Sequence, residues 1–326
     1  MEQRNPYPPL MRAPLKMRGI FGVTWQLYKR GFWPMFGFTL LLVGLSMLII
    51  LLLTFSMLGD FDIADFQSGM LPYGDFSEGS AAVPAAAAMM KVMGITQVIS
   101  LVYMFLVMPS YLGASFMEMN ERMEGRVGSF YQLVRYALPI GFKRFYTTFL
   151  SLVLVHIVAS MVMGLVLGGI LITAVVSSVA SGVQAGSGLT LAAVLTVVIL
   201  MLVCIVYFVF LSLIYPVAAH EGKRAFDAVG RGMKLSIKRF GRLFGALSLY
   251  ILIVLVSEAV LVLPWAFLMQ NATAVVFAYI GLSLWGVIMA PYFSAFCTAL
   301  YVDSAARIPE FPPAGIVPVP PAQQQA

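Results

Sequence analysis

The stretch LFGALSLYILIVLVSEAVLVLPWAF, residues 243–267, decides the fold because it is apolar throughout and carries one charge, Glu258. About 20 consecutive apolar residues are enough for a helix to cross a bilayer. In lipid, backbone N–H and C=O groups need partners within the protein, so only helices and closed barrels cross. Barrel strands alternate apolar and polar residues. This stretch does not alternate, so it predicts a transmembrane helix.

The composition of the whole chain supports the same fold. Of its 326 residues, 61% are hydrophobic and 10% are charged, whereas a soluble domain has about 25% charged residues. We therefore predict an all-α, polytopic protein of the cell membrane. Its six spans are expected at about Phe38–Leu58, Ile95–Met117, 146–176, 189–215, Leu243–Phe267 and Val275–Leu300.

The basic residues indicate the direction of the spans. Cytoplasmic segments of membrane proteins hold the excess of Lys and Arg. With six spans, the N-terminal segment, loops 2–3 and 4–5 and the C-terminal tail lie on one side with 19 of the 20 basic residues, and Lys91 lies on the other. We predict that both termini are cytoplasmic.

Three segments of the chain are alike. Each has an amphipathic stretch, a basic-aromatic step and a long apolar run, and each even-numbered span has a proline near a tyrosine: Pro109, Pro216 and Pro291. We predict three repeats of an interfacial amphipathic helix and a two-span hairpin, although shared apolar composition is an alternative explanation. The predicted units are 1–36 (cytoplasmic segment with the first interfacial helix), 37–117 (spans 1 and 2 with an acidic outer loop), 118–218 (second repeat), 219–302 (third repeat) and 303–326 (disordered Pro-rich cytoplasmic tail).

The third amphipathic stretch has the clearest pattern. At 100° per residue, Phe226, Val229, Met233, Ile237 and Phe240 share one face, and charged residues share the opposite face. This pattern is typical of a helix in the membrane interface, with acyl chains on one side and headgroups on the other. The alternative is a cytoplasmic loop whose charges serve topology only. The candidate contacts to lipid headgroups are Arg126, Arg135, Lys143, Arg144, Arg224, Arg231, Lys234, Lys238 and Arg239.

Three stretches carry a family resemblance: TWQLYKR at 24–30; YPVAAHEG at 215–222, leading to AFDA at 225–228 and RGMKL at 231–235; and Pro291 followed by YVD at 301–303. The chain resembles, over about residues 17–311, the membrane domain found beside some bacterial glycerophosphoryl diester phosphodiesterases and in related stand-alone membrane proteins of unknown function. The resemblance implies a helical membrane domain. It does not imply phosphodiesterase activity, because those enzymes carry a separate soluble domain with acidic metal ligands.

Two ionisable residues lie within predicted spans, and such residues are functional candidates by default. Glu258 in span 5 is interpreted as a carboxyl near the outer interface, or as a proton or cation site. His156 in span 3 shares a stripe of small residues, so we expect an interhelical hydrogen bond. The two lie at different depths, which argues against a direct pair. We interpret Cys204 and Cys297 as small buried hydrophobes.

The sequence shows no catalytic constellation, and we expect no enzyme activity, metal or cofactor. We predict a non-enzymatic, lipid-interacting or scaffolding protein whose partners are the bilayer and anionic headgroups, not nucleic acid. The alternative is a small transporter with Glu258 and His156 in its pathway. An intramembrane enzyme acting on lipid is a third hypothesis, which would need convergent polar groups at one depth.

Overall fold

The computed structural model describes residues 14–57, 103–126, 128–135, 145–158, 205–266 and 272–308, with the separate positions 94, 97, 101, 161, 202 and 203. All regular elements in these ranges are helices, as predicted. They are α1 (Met17–Arg30), α2 (Phe32–Met57), α3 (Met108–Met123), α4 (Phe130–Arg135), α5 (Phe145–Val158), α6 (Ile214–Glu221), α7 (Ala225–Lys238), α8 (Phe240–Ala266) and α9 (Ala272–Ala306). The acidic loop 1–2, most of spans 3 and 4, Lys143, Arg144, Cys204 and the Pro-rich tail lie outside the described residues.

Within the described residues, two helical segments are long and apolar enough to cross a membrane, Phe240–Leu261 in α8 and Leu284–Ala306 in α9. The 27 residues of α8 correspond to about 40 Å, which exceeds the roughly 30 Å of a hydrocarbon core. The 35-residue α9 extends past both predicted ends of span 6, and α2 begins at Phe32, before the predicted Phe38. Hydropathy predicts where lipid contacts a helix, and backbone hydrogen bonding continues beyond those limits.

Helix α9 lies at the centre of the described bundle. It packs against α1, α2, α3 and α8, while α3 also packs against α6, and α7 packs against α6. The core residues of α9 include Phe296, Leu300 and Tyr301, each at most 1% exposed. Helix α1 therefore docks on α9, the last of the described helices.

Two helix pairs have matching geometry. Helices α1 and α7 are both 14 residues long, and each is followed by a one-residue break, at Gly31 and Arg239, and by a long helix that begins at a phenylalanine. The fourth, eighth, eleventh and twelfth residues of each short helix are buried: Ile20, Thr24, Leu27 and Tyr28 in α1, and Ala228, Gly232, Leu235 and Ser236 in α7. The two surface helices thus present the same face to the bundle.

Two of the three prolines coincide with irregular helix geometry. A proline lacks an N–H and clashes with the carbonyl four residues earlier. Residue 105, four before Pro109, lies in a π-helical turn at Tyr103–Val107, and Ser212, four before Pro216, lies in a turn between helical residues 211 and 214. Pro291 lies inside the continuous α9.

Candidate functional site

Three helices of the bundle carry, within their last six residues, a carboxylate that binds an arginine. Glu118 of α3 accepts from Arg122 at 3.0 Å, Glu221 of α6 from Arg231 at 3.1 Å, and Asp303 of α9 from Arg307 at 3.0 Å. Asp303 also accepts from Arg242 of α8 at 2.5 Å. These ion pairs join the basic segments around α1, α4 and α7 to the bundle at one end.

The Glu118–Arg122 pair is fully buried, with both side chains 0% exposed. Besides Glu118, the Arg122 guanidinium donates through Nη1 to the carbonyl of Leu27 at 3.1 Å and through Nη2 to that of Gly31 at 2.6 Å. Gly31 leaves room for this contact, because a β-carbon at that position would overlap the guanidinium and displace it. Arg122 therefore fastens the end of α1 to α3.

The Glu118 and Asp303 clusters share two further contacts. In each cluster the carboxylate accepts the backbone N–H of the residue two positions before a surface helix. Gly128, before α4, donates to Glu118 at 3.0 Å, and Leu15, before α1, donates to Asp303 at 2.7 Å. In each cluster an arginine at the end of a surface helix also donates to a backbone carbonyl: Arg30 to Arg122 at 3.0 Å, and Arg239 to Arg307 at 2.6 Å. Both clusters therefore fix where a surface helix begins and where another ends.

The Glu221 cluster has a different composition. Glu221 accepts from Arg231, from the Tyr301 hydroxyl at 3.2 Å, and from Lys223 with 3.6 Å between the charged atoms. The His220 ring stacks on Tyr301 with 4.9 Å between centroids. This cluster fastens α7 to α6 and α6 to α9.

Burial determines the electrostatics of the Glu118–Arg122 pair. Desolvation raises the pKa of the Glu118 carboxyl above its ordinary value of 4.5, although Arg122 and the Gly128 N–H oppose this shift. Desolvation also lowers the pKa of Arg122, with Glu118 opposing that shift. Removing one partner of a buried pair leaves an uncompensated charge and costs about 3–5 kcal/mol, so this pair is a structural element of the site.

Helix α7 has three faces rather than the two that the sequence predicted. Ala228, Gly232, Leu235 and Ser236 pack on the bundle, and Val229, which was expected to face acyl chains, is 4% exposed and lies with them. The physical reason is close packing through glycine: a β-carbon on Gly232 would lie 2.8 Å from Cγ1 and 3.0 Å from Cα of Ile214. The apolar prediction holds for Phe226 and Ile237, which are 61% and 62% exposed.

The charged face of α7 borders a groove of about 430 Å³, lined by Lys223, Phe226, Asp227, Gly230, Arg231 and Lys234. Of the other candidate headgroup contacts, Arg135, Arg224 and Lys238 are exposed, whereas Arg126 is partly exposed in ion pairs with Glu121 and Glu124. Arg231 and Arg239 are engaged by the ion pair and the carbonyl described above. The groove thus brings together Lys223, Arg231 and Lys234.

The two intramembrane candidates lie on separate helices. His156 of α5 lies 2.8 Å from the hydroxyl of Tyr207, measured from Nδ1, and Tyr207 belongs to the helical residues 205–211 that precede α6. The predicted interhelical hydrogen bond is therefore confirmed. Glu258 is partly buried on α8. No group of three or more His, Cys, Asp or Glu residues among the described residues is arranged to hold a metal ion. Cys297 is buried and free, as predicted.

In the sequence, Arg122, Arg242 and Arg307 counted only among the basic residues that indicate topology. The carboxylate–arginine clusters that they form were not predicted. A signal was present, because Glu118–Arg122 and Asp303–Arg307 are acid-base pairs at i,i+4 spacing on helices. Nothing in the spacing shows that their other partners come from residues 15–31. The described part of the chain therefore gathers a basic surface and three carboxylate–arginine clusters at one end of an all-α bundle. No protein-family model, curated protein or solved structure matches this chain.

Proposed function

We propose that the chain is a six-span, non-enzymatic membrane protein whose basic end lies at the cytoplasmic leaflet, where it binds anionic lipid and acts as a scaffold. The exposed surface of α8 carries the membrane part of the proposal. Only 22% of its most apolar segment is buried, and its exposed large hydrophobic residues are Leu249, Leu252, Ile253, Leu255, Val256, Val260 and Leu261. Water-soluble monomers rarely expose an apolar surface of this extent, and lipid is the solvent that suits it.

The geometry of the basic end supports the proposed topology. The N-terminal segment, loops 2–3 and 4–5 and the end of α9 lie together at this end. The contacts that join them are Leu15 with Asp303, Arg30 with Arg122, and Glu221 with Tyr301. Four segments at one end are what three two-span hairpins would give. The matching pairs α1–α2 and α7–α8 support the proposed repeat. The resemblance to the membrane domain described under the sequence analysis agrees with the proposed topology and with the repeat.

The faces of α7 support lipid binding at this end. One face packs on protein, Phe226 and Ile237 form an apolar face, and Asp227, Lys234 and Lys238 lie on a charged face. A helix with an apolar and a basic face binds in the interface plane, and each basic residue near an anionic leaflet contributes about 1 kcal/mol.

Reporter fusions test the topology. We expect a reporter active only outside the cytoplasm to be active after Asn271 and silent after Ala326. The reverse pattern, or external labelling of a cysteine at Lys234 in intact cells, would overturn the six-span arrangement.

Tryptophan quenching tests lipid binding, because Trp25 and Trp33 are 49% and 75% exposed near the basic end. In reconstituted full-length protein, brominated anionic lipid should quench more than brominated phosphatidylcholine, and the excess should fall with added salt. Equal quenching by both lipids at low salt contradicts the proposal. Solute flux that is lost in Glu258→Gln would instead support the transporter alternative.

A further inference from the structure

The groove on α7 lies at the boundary between the apolar and the charged face of that helix. Steps of four residues rotate about 40° around a helix, so Phe226, Gly230 and Lys234 lead from the apolar face to the charged one. Phe226 is exposed at one side, and apart from the chain neighbours of Gly230 and the backbone of α7 itself, no atom lies within 4 Å of the position that a β-carbon on Gly230 would occupy. The glycine therefore opens the groove at the depth where an interfacial helix meets headgroups.

The charges around this groove nearly cancel. Lys223, Arg231 and Lys234 line it together with the carboxylate of Asp227. Glu221 lies behind Lys223 and Arg231, at 3.6 and 3.1 Å. Three cations and two carboxylates leave one positive charge, which matches a ligand with a single negative charge.

We infer that this groove is a binding site for one membrane phospholipid whose headgroup carries one net negative charge, that of its phosphodiester. The phosphate lies between Lys223 and Lys234, and an acyl chain follows the apolar face past Phe226 toward Ile237. The 430 Å³ of the groove are in the usual size range of a small-ligand site. This inference rests on the proposed function and adds a defined site and a lipid class to it.

Filling the groove without changing its charge gives the sharpest test. Gly230→Leu places a side chain in the open space, and Gly22→Leu is the matched control, because Gly22 is the sixth residue of α1 as Gly230 is of α7 and also has nothing within 4 Å of a β-carbon. The full-length protein is equilibrated in detergent with equimolar phosphatidylglycerol and phosphatidylcholine, and the retained lipid is counted by native mass spectrometry.

We expect wild type and Gly22→Leu to retain one phosphatidylglycerol in preference to phosphatidylcholine. Lys234→Gln should lower that preference about fivefold, equivalent to about 1 kcal/mol for one basic residue, and Gly230→Leu at least as much. Unchanged preference in a folded Gly230→Leu variant overturns the site. Retention of dianionic phosphatidic acid about tenfold above phosphatidylglycerol overturns the single-charge assignment, since tenfold exceeds the contribution of one charge.

Two further arms separate the alternatives. Soluble glycerophosphoglycerol should not displace the lipid at equal concentration, and if it does, the groove is a solute site. Gly230→Leu should keep the salt-dependent quenching of the wild type because its charge is unchanged. Wild type that shows this quenching but no preferential retention refutes only the groove, whereas wild type without the quenching refutes the proposed function.

Discussion

Asp303 accepts the backbone N–H of Leu15 at 2.7 Å, although the two residues are 288 positions apart in the chain. The same carboxylate binds Arg242 and Arg307, and both arginines also donate to the carbonyl of Leu15. One buried acid thus fixes the start of α1 against the ends of α8 and α9.

Asp303→Asn should release the start of α1. The amide can still accept the Leu15 N–H, but both ion pairs are lost, and hydrogen bonds to charged groups contribute about 1.5–3 kcal/mol each. Arg242 and Arg307 are about a quarter exposed, so solvent weakens these bonds. We therefore expect the free energy of unfolding to fall by an amount near the lower end of this range for each bond. Thermal unfolding in detergent and faster trypsin cleavage after Arg18 measure it. Asp227→Asn, at an exposed position, is the control, and equal unfolding temperatures for both variants would contradict the role of Asp303.

Glu118→Leu and Arg122→Met should each destabilise the fold by about 3–5 kcal/mol, because each leaves the other member of the buried pair without its partner. The double variant Glu118→Leu with Arg122→Met should lose less than the two single losses added together, since apolar replacements of a buried pair are often tolerated. Unfolding free energies of the four proteins give the coupling. Additive losses would show that the pair does not act as a unit.

Stability should fall as the pH rises from about 4.5. Burial raises the pKa of Glu118 in the folded protein, and burial also raises the pKa of Glu121, so the native state binds more protons than the unfolded state in this window. Below the pKa that these carboxyls have in the unfolded chain, they contribute their full share to the free energy of unfolding. That contribution is lost as the pH rises through their pKa values in the folded protein. Unfolding temperatures from pH 4.5 upward should decline in wild type and decline less in Glu118→Gln. A rise over the same range would contradict the raised pKa.

Gly232→Ala and Gly230→Ala form a matched pair within one helix. The β-carbon at position 232 meets Ile214, and overpacking typically costs about 1–3 kcal/mol. At position 230 the space is open, and replacing a mid-helix glycine by alanine stabilises by about 0.5–1 kcal/mol. Opposite shifts of the unfolding temperature are the expected result. Equal shifts would mean that α7 does not dock through Gly232.

His156→Phe and Tyr207→Phe should each cost little, about 0.6 kcal/mol on average for an interhelical hydrogen bond in a membrane. The double variant should cost no more than either single one, because both remove the same bond. Unfolding in detergent measures all three. A double loss equal to the sum would show that His156 and Tyr207 are not coupled.

Local patterns were sufficient to predict the helices and some of their contacts. The apolar run around Leu252 predicted α8, the helical periodicity of residues such as Phe226 and Ile237 predicted α7, and the small-residue stripe at His156 predicted its interhelical bond. The six spans, the repeat and lipid binding stay predictions that the proposed experiments address.

Other features depended on long-range geometry. The packing face of α7 was missed because Gly232 and Ser236 have no hydrophobic signal, and small size matters only once α6 lies against them. The role of Arg122 was missed because its carbonyl partners, Leu27 and Gly31, are 95 and 91 positions away. Periodicity along one helix carries no information about such partners.

The docking of α1 on α9 has a consequence for biosynthesis. The ribosome makes α1 well before α9, its main partner among the described helices. At about 5–20 residues per second, α1 waits roughly 15–60 s with its inward face of Ile20, Thr24 and Leu27 uncovered. During that interval α1 lacks its main packing partner, so synthesis of α9 is the step that allows this part of the bundle to assemble.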